Sequence, residues 1–327
     1  MSGLVDKLRH GLFAAVALSV TLTATAVKAD EYPDRPVSMT VVYSPGGATD
    51  FQARIVTMVA ANKQYLKQPI VILNRPGAGG RVGWNYYASK AKIDGYELAA
   101  YNVPHFIAQS IMFDTKYNIG NLEPIANWGA DPAVLVVSKK SPFNSVADMV
   151  AFAKKNPGKV TVSGAGLYVG HHIAFLQIAK ATGTKMTYVP FKGGAPALKS
   201  VLGGQVMAGI NNLSDAYRSR NNLKIIGIAD LHRNTQFLPN VPTFKEQGYD
   251  VDDSSVNFRG IMVRKGTPQK IIDKLAAVFP KMFENKRVIK QMTNGGSPIR
   301  VIKRDALKKM WAERQVYLTK LLSGLKK

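Results

Sequence analysis

Hydrophobic and polar positions along this chain switch repeatedly between two periods. Short apolar runs at 37–43, 69–73, 96–101, 125–128 and 134–137 predict strands, as do 160–163, 186–189, 205–210, 223–229 and 260–264. Between them the apolar positions fall at helical spacing. Thr49 and Gln52 have the spacing of a capping box, followed by Phe51, Ile55, Val56 and Val59 on one face. Further helices are predicted at 82–90, 145–155 and 172–181. Another carries Pro196 in its first turn and stops at Gly203-Gly204. A short helix is expected at 243–247. A longer one follows Thr267-Pro268, with Thr267 as N-cap. The last runs over 304–322, with Leu307, Trp311, Leu318 and Leu321 on one face. Strands alternating with helices predict α/β architecture, with parallel sheets covered on both sides. The polar, Pro-containing stretch at 231–242 reads as a linker.

Four predicted strands end in Gly-rich turns that lead into helices. They are Ser44-Pro45-Gly46-Gly47, the run at 74–80 (Asn-Arg-Pro-Gly-Ala-Gly-Gly), Ser163-Gly164-Ala165-Gly166 and Lys192-Gly193-Gly194. Ligands of open α/β sheets bind beyond the carboxyl ends of strands. A helix start offers free N–H groups and the positive end of its dipole. Four such turns converging on one cleft make an anion site built mainly from backbone, which suits a receptor better than an active site.

Composition narrows the setting. Lys7 and Arg9 precede an apolar stretch at 11–27, and Val27-Lys28-Ala29 has the small-x-Ala form of a cleavage site. Residues 1–29 are therefore expected to be an export signal, leaving about 298 residues. The chain has no Cys, which excludes disulfides and thiolate metal sites. Its formal net charge is +23. The signal accounts for +2 of this (Lys7, Arg9 and Lys28 against Asp6), leaving +21. Such an excess attracts anionic ligands. The lysines are dispersed rather than gathered into an aromatic-interleaved stripe, so nucleic acid is not an expected partner.

Catalytic motifs are weak. The spacing at 77–80 is not G-x-G-x-x-G, and neither a P-loop nor a G-x-S-x-G elbow occurs. His171-His172 is a poor metal pair, because adjacent residues face different sides of a helix. One ring is expected to face the cleft and the other to pack. Asp50 has three open roles: general base, first-turn carboxylate stabilised by the helix dipole, or cleft acceptor for a ligand. Arg75, Arg81 and Arg259 can each fork onto a carboxylate.

At these residues the chain resembles the solute receptors of tripartite tricarboxylate transporters, the Bug family. The resemblance rests on Tyr-Pro-Asp-Arg-Pro at 32–36, Pro-Gly-Gly-x-x-Asp at 45–50, the turn at 74–80 and Asp-Gly-Tyr at 94–96. It continues with Ala-Lys-Lys-Asn-Pro-Gly-Lys at 153–159, Val-Pro-Phe-Lys-Gly-Gly-Ala-Pro-Ala-Leu at 189–198 and Leu-Gly-Gly-Gln-Val at 202–206. Leu-Pro-Asn-Val-Pro-Thr at 238–243, Glu-Gln-Gly-Tyr at 246–249 and Gly-Thr-Pro at 266–268 complete it.

The resemblance implies a type II periplasmic binding protein with two α/β lobes and a ligand cleft between them. Residues 30–130 and 237–327 would form one lobe and 131–236 the other. It also implies a small carboxylate held by Ser44, Gly46, Gly47, Asp50, Ser163, Gly166, Lys192 and Gly193. The expected role is an exported, monomeric receptor that hands its ligand to membrane components of the transporter, without a cofactor. His172 and Arg259 complete the expected site, at places where the chain departs from the family pattern. The Gly166-to-His172 spacing is longer than usual, and Asn257-Phe258-Arg259-Gly260 stands in place of Ser-Trp-x-Gly. Phe191 replaces a usual Tyr. Two alternatives stay open. One is an enzyme on this scaffold using Asp50 or His172, although no nucleophile–base pair is evident. The other is a sensor for a membrane signalling protein.

Overall fold

The computed structural model describes residues 32–323, so the export signal expected at 1–29 lies outside the described residues. The chain first builds β1 (Val37–Val41), α1 (Ala48–Thr57), β2 (Ile70–Asn74), α2 (Arg81–Lys90), β3 (Glu97–Val103), α3 (His105–Met112) and β4 (Leu122–Asp131). It then crosses to a second sheet with β5 (Ala133–Ser138), α4 (Val146–Lys155), β6 (Thr161–Gly164), α5 (Gly170–Thr182) and β7 (Thr187–Pro190). That half continues with α6 (Gly194–Leu202), β8 (Ala208–Asn212), α7 (Leu213–Arg218) and β9 (Leu223–Ala229). The return brings β10 (Asn257–Arg264), α8 (Gln269–Phe283), α9 (Lys286–Asn294), β11 (Ile299–Lys303) and α10 (Arg304–Leu322).

The two sheets have the orders β11-β4-β10-β3-β1-β2 and β7-β6-β8-β5-β9. Both follow one plan. In each, a parallel βαβ core receives an antiparallel strand from the crossing chain, and in the first sheet the edge strand β11 also runs antiparallel to β4. β10 lies between β3 and β4, and β5 lies between β8 and β9. The sheets are therefore mixed rather than purely parallel, because the strand that enters from the other lobe runs against its neighbours. Helices cover both faces of each sheet, as the alternation predicts. Met39, Leu98, Ile261 and Phe279 fill one side of the first sheet, and Trp84, Tyr101, Phe106 and Trp311 the other. Leu135, Val162 and Phe175 lie on one side of the second sheet, and Val134, Val201 and Leu213 on the other.

Several local expectations change. Phe237 and Leu238 pack with Val134 and Leu198, and Phe244 and Val251 pack with Val162. The chain thus stays with the second lobe well past residue 236 and returns only between Val251 and Asn257. The apolar residues after the linker decide this, because they complete the second core. Residues 243–247 form a turn rather than a helix, with Thr243 N–H bonded to Glu246. Thr267 does not cap α8. Its hydroxyl donates back to the Arg264 carbonyl, and Pro268 is the N-cap.

Candidate functional site

The Gly-rich turn after β1 makes the first wall. Gly47 is the N-cap of α1, with extended backbone and no side-chain cap. The first N–H groups of a helix have no intrahelical acceptor, and Ala48 and Thr49 line a narrow slot between the lobes. The turn is held by Asp50. Its carboxylate accepts from Gly46 N–H at 2.9 Å, from Asn74 Nδ2 at 2.9 Å and from Arg54 Nε at 3.1 Å. Burial pushes the Asp50 carboxyl up, but Arg54, the Gly46 N–H and Asn74 outweigh it, and the net shift is downward. Opposite, Gly193 is the uncapped N-cap of α6, and Gly194 lines the same slot. Tyr43, His105, Ala165, His171, Asn212 and Asn257 complete the walls.

The lobes touch at this place. Ser44 Oγ donates to the Lys192 carbonyl at 3.3 Å, and Gln109 Nε2 donates to the Leu167 carbonyl at 2.9 Å. Gly166 has φ +135°, and a Cβ there would lie 2.6 Å from the Gly79 Cα. Glycine is thus needed for two turns from opposite lobes to meet. A second cavity, of about 610 Å³, shares these turns. Its walls include Ser44, Gly79, Arg81, Gly166, Phe191 and Lys192.

Behind the slot lies a buried polar network that joins the lobes. Arg259 Nη1 pairs with Asp131 Oδ2 at 2.7 Å, and both side chains are 0% exposed. Arg259 Nε donates to Thr49 Oγ1 at 3.1 Å. Asp131 also accepts from Gln52 Nε2 at 3.0 Å and, in the second lobe, from the Ser214 N–H at 3.1 Å and the Ser214 hydroxyl. The Asn257 amide, turned with its oxygen toward Arg259, accepts from Nη2 at 2.8 Å.

Of the expected site residues, the fold brings together Ser44, Gly47, Gly166, Lys192 and Gly193 across the lobe boundary. Gly46 and Asp50 shape the first turn from within. Three lie elsewhere. Ser163 is fully buried and donates to the Ala197 carbonyl at 2.9 Å, tying β6 to α6. His172 packs 4.5 Å from the Tyr188 ring, with Nδ1 accepting from Tyr168 N–H at 3.1 Å. Burial pushes its pKa down to about 4. Arg259 stands one layer behind the slot, bonded to its wall residues Thr49 and Asn257 without lining it itself. The sequence missed Thr49, His105, His171, Asn212 and Asn257. For His171 the signal was present: two adjacent rings at a helix start must diverge, and the slot takes His171 rather than His172. Thr49 and Gln52 form no capping box, because both side chains are committed to the Arg259–Asp131 network.

Comparison with known proteins agrees with this architecture. Residues 53–322 match the family described as Tripartite tricarboxylate transporter family receptor. The chain is 34% identical over 296 residues to Protein BugT of Bordetella pertussis, covering 88% of each. Its fold is similar to the solved periplasmic binding protein BugD, with a TM-score of 0.81 and 25% identity over 90% of this chain and 98% of that one. It is also similar to MatC from Rhodopseudomonas palustris, solved with bound malate, with a TM-score of 0.80 and 25% identity over 89% of this chain and all (100%) of that one. By sequence and by fold, the chain belongs to the receptor family of the tripartite tricarboxylate transporters.

Proposed function

We propose that this receptor binds a small organic acid by closing its two lobes over the carboxylate and presents the closed form to the membrane components of a transporter. One observation carries the reading. The uncapped starts of α1 and α6, on opposite lobes, line a single buried slot of about 10 Å³, room for one oxygen-sized group, beside the cavity of about 610 Å³ that shares its turns. Helix starts favour an anion through free N–H groups and the dipole, and only the closed arrangement brings two of them together. A ligand that contacts both lobes therefore favours closure. The malate bound in MatC supports the ligand class. The surplus of Lys and Arg would draw anions toward the cleft.

Binding rather than catalysis is the reading we favour. Asp50 is committed to three donors and its pKa is lowered, so the carboxylate is a weak base with its lone pairs already engaged. His172 is packed against aromatic rings. The working form would be the monomer in the periplasm after cleavage near Ala29. A thermal-shift series with malate, succinate, citrate, benzoate and neutral sugars tests the proposal. A carboxylate at about 100 times its dissociation constant should stabilise by about 2.7 kcal/mol. Stabilisation by a sugar alone, or chemical conversion of a bound acid, would refute it.

A further inference from the structure

His171 carries chemistry that a backbone anion site does not require. Its side chain is 1% exposed and lines the slot from the second lobe. Nδ1 accepts the Ala165 N–H at 3.1 Å. A ring nitrogen that accepts from an N–H carries no proton, so the proton of the neutral ring is on Nε2. That nitrogen is buried and has no hydrogen-bond partner among the described residues. Asn212 stands near enough to favour the charged ring but completes no hydrogen bond with it. The other groups that face His171 are His105 across the slot, with ring centroids 6.5 Å apart, and the Arg259–Asp131 pair behind it. Burial, with the Arg259 charge also acting downward, pushes the His171 pKa down to about 4.

Accordingly, we infer that His171 is the second lobe's neutral hydrogen-bond donor to the ligand, with its Nε2–H directed at a carboxylate oxygen. The inference rests on the carboxylate reading of the slot. A buried donor without an acceptor is unfavourable, so an oxygen acceptor in the slot stabilises the closed lobes at this point. The ring has no second acceptor to offer. A ligand atom opposite Nε2 must therefore accept, and an amine or ammonium placed there is rejected. Closure also depends on the neighbouring Gly170. A Cβ at that position would lie 2.6 Å from the Ser255 carbonyl oxygen and 3.0 Å from His105 Cε1.

Calorimetric titration with malate and the acids above separates the possibilities, using wild type, His171→Phe and His171→Gln. The Phe variant keeps a ring in the slot wall and deletes the donor. Gln restores one. The Phe variant should bind about tenfold more weakly, and Gln should recover most of the loss, with ligand-free melting temperatures little changed. Malate-saturated wild type, followed by 15N imidazole spectroscopy, should show His171 neutral and protonated on Nε2. This measurement holds even where a variant fails to fold. Loss within twofold for Phe, or a proton on Nδ1, would overturn the inference while leaving the carboxylate reading standing. No binding of any acid by wild type would remove both.

Discussion

Asp50 and Asp131 are both buried carboxylates joined to an arginine, but they are satisfied in opposite ways. Asp50 draws its donors from one lobe, and its partner Arg54, four residues on, is 51% exposed. Asp131 ends the strand that leaves the first lobe and gathers Arg259, Gln52 and Ser214 from three elements and both lobes. Water reaches the first pair and softens any loss. It cannot reach the second, where removing one partner leaves a charge buried without compensation. The first carboxylate shapes a turn. The second fixes where the lobes meet.

That contrast predicts its own largest break. Arg259→Met should lower folding stability by about 3–5 kcal/mol in urea titration, because Asp131 is left unpaired. The double variant Arg259→Met/Asp131→Leu should recover much of that loss. As a fork onto a ligand carboxylate, the role open to it in the sequence, Arg259 would favour dicarboxylates and its loss would spare monocarboxylates. Its burial behind Thr49 predicts a similar loss of affinity for mono- and dicarboxylates. A dicarboxylate-selective loss in a stably folded variant would instead show Arg259 reaching a ligand carboxylate.

Asp50→Ala should cost less, about 1–3 kcal/mol, and should weaken ligand binding through disorder of the Gly46-Gly47 turn. The acid limb of stability separates the regions further. Asp50 has a lowered folded pKa, so its contribution is present above the unfolded value of about 3.8 and is lost as pH falls through the folded one. His171 and His172 behave differently. Their folded values near 4 lie below the unfolded value of about 6.5. The unfolded chain binds the extra protons, so stability falls as pH drops from about 6.5 toward 4. Melting curves of Asp50→Ala should keep that higher limb, whereas His172→Phe should remove its share of it and leave that of His171.

The same contrast marks how far the sequence was legible. Helices α10 and α4 are read almost to the residue, because a repeated apolar face or a Ser145 capping box writes them locally. The four Gly-rich turns are legible as well, since backbone anion sites need glycine whatever surrounds them. Helices α3 and α7 escape, being short and carrying buried polar residues such as Gln109 and Ser214. Those side chains answer partners 58 and 83 residues away. No periodicity reports pairings of that kind, which is why Arg259 reads as a fork for a ligand and Asn212 and Asn257 fall outside the strands expected at 205–210 and 260–264.

The smallest expected effect lies at the rim, where the lobes touch without burial. Ser44 Oγ donates to the Lys192 carbonyl at 3.3 Å at an exposed place. A neutral hydrogen bond of this length, open to water, contributes about 0.5 kcal/mol at most to net stability. In the open form both groups are solvated, so Ser44→Ala should leave unfolding by urea unchanged. Its effect falls on the equilibrium between open and closed lobes. With ligand binding the closed form, as proposed above, a shift of that size corresponds to about a twofold weaker apparent affinity. Calorimetry on wild type and Ser44→Ala with the best carboxylate resolves the difference. A tenfold loss would show that the Ser44 hydroxyl contacts the ligand itself, and the rim would then belong to the binding site rather than to the latch.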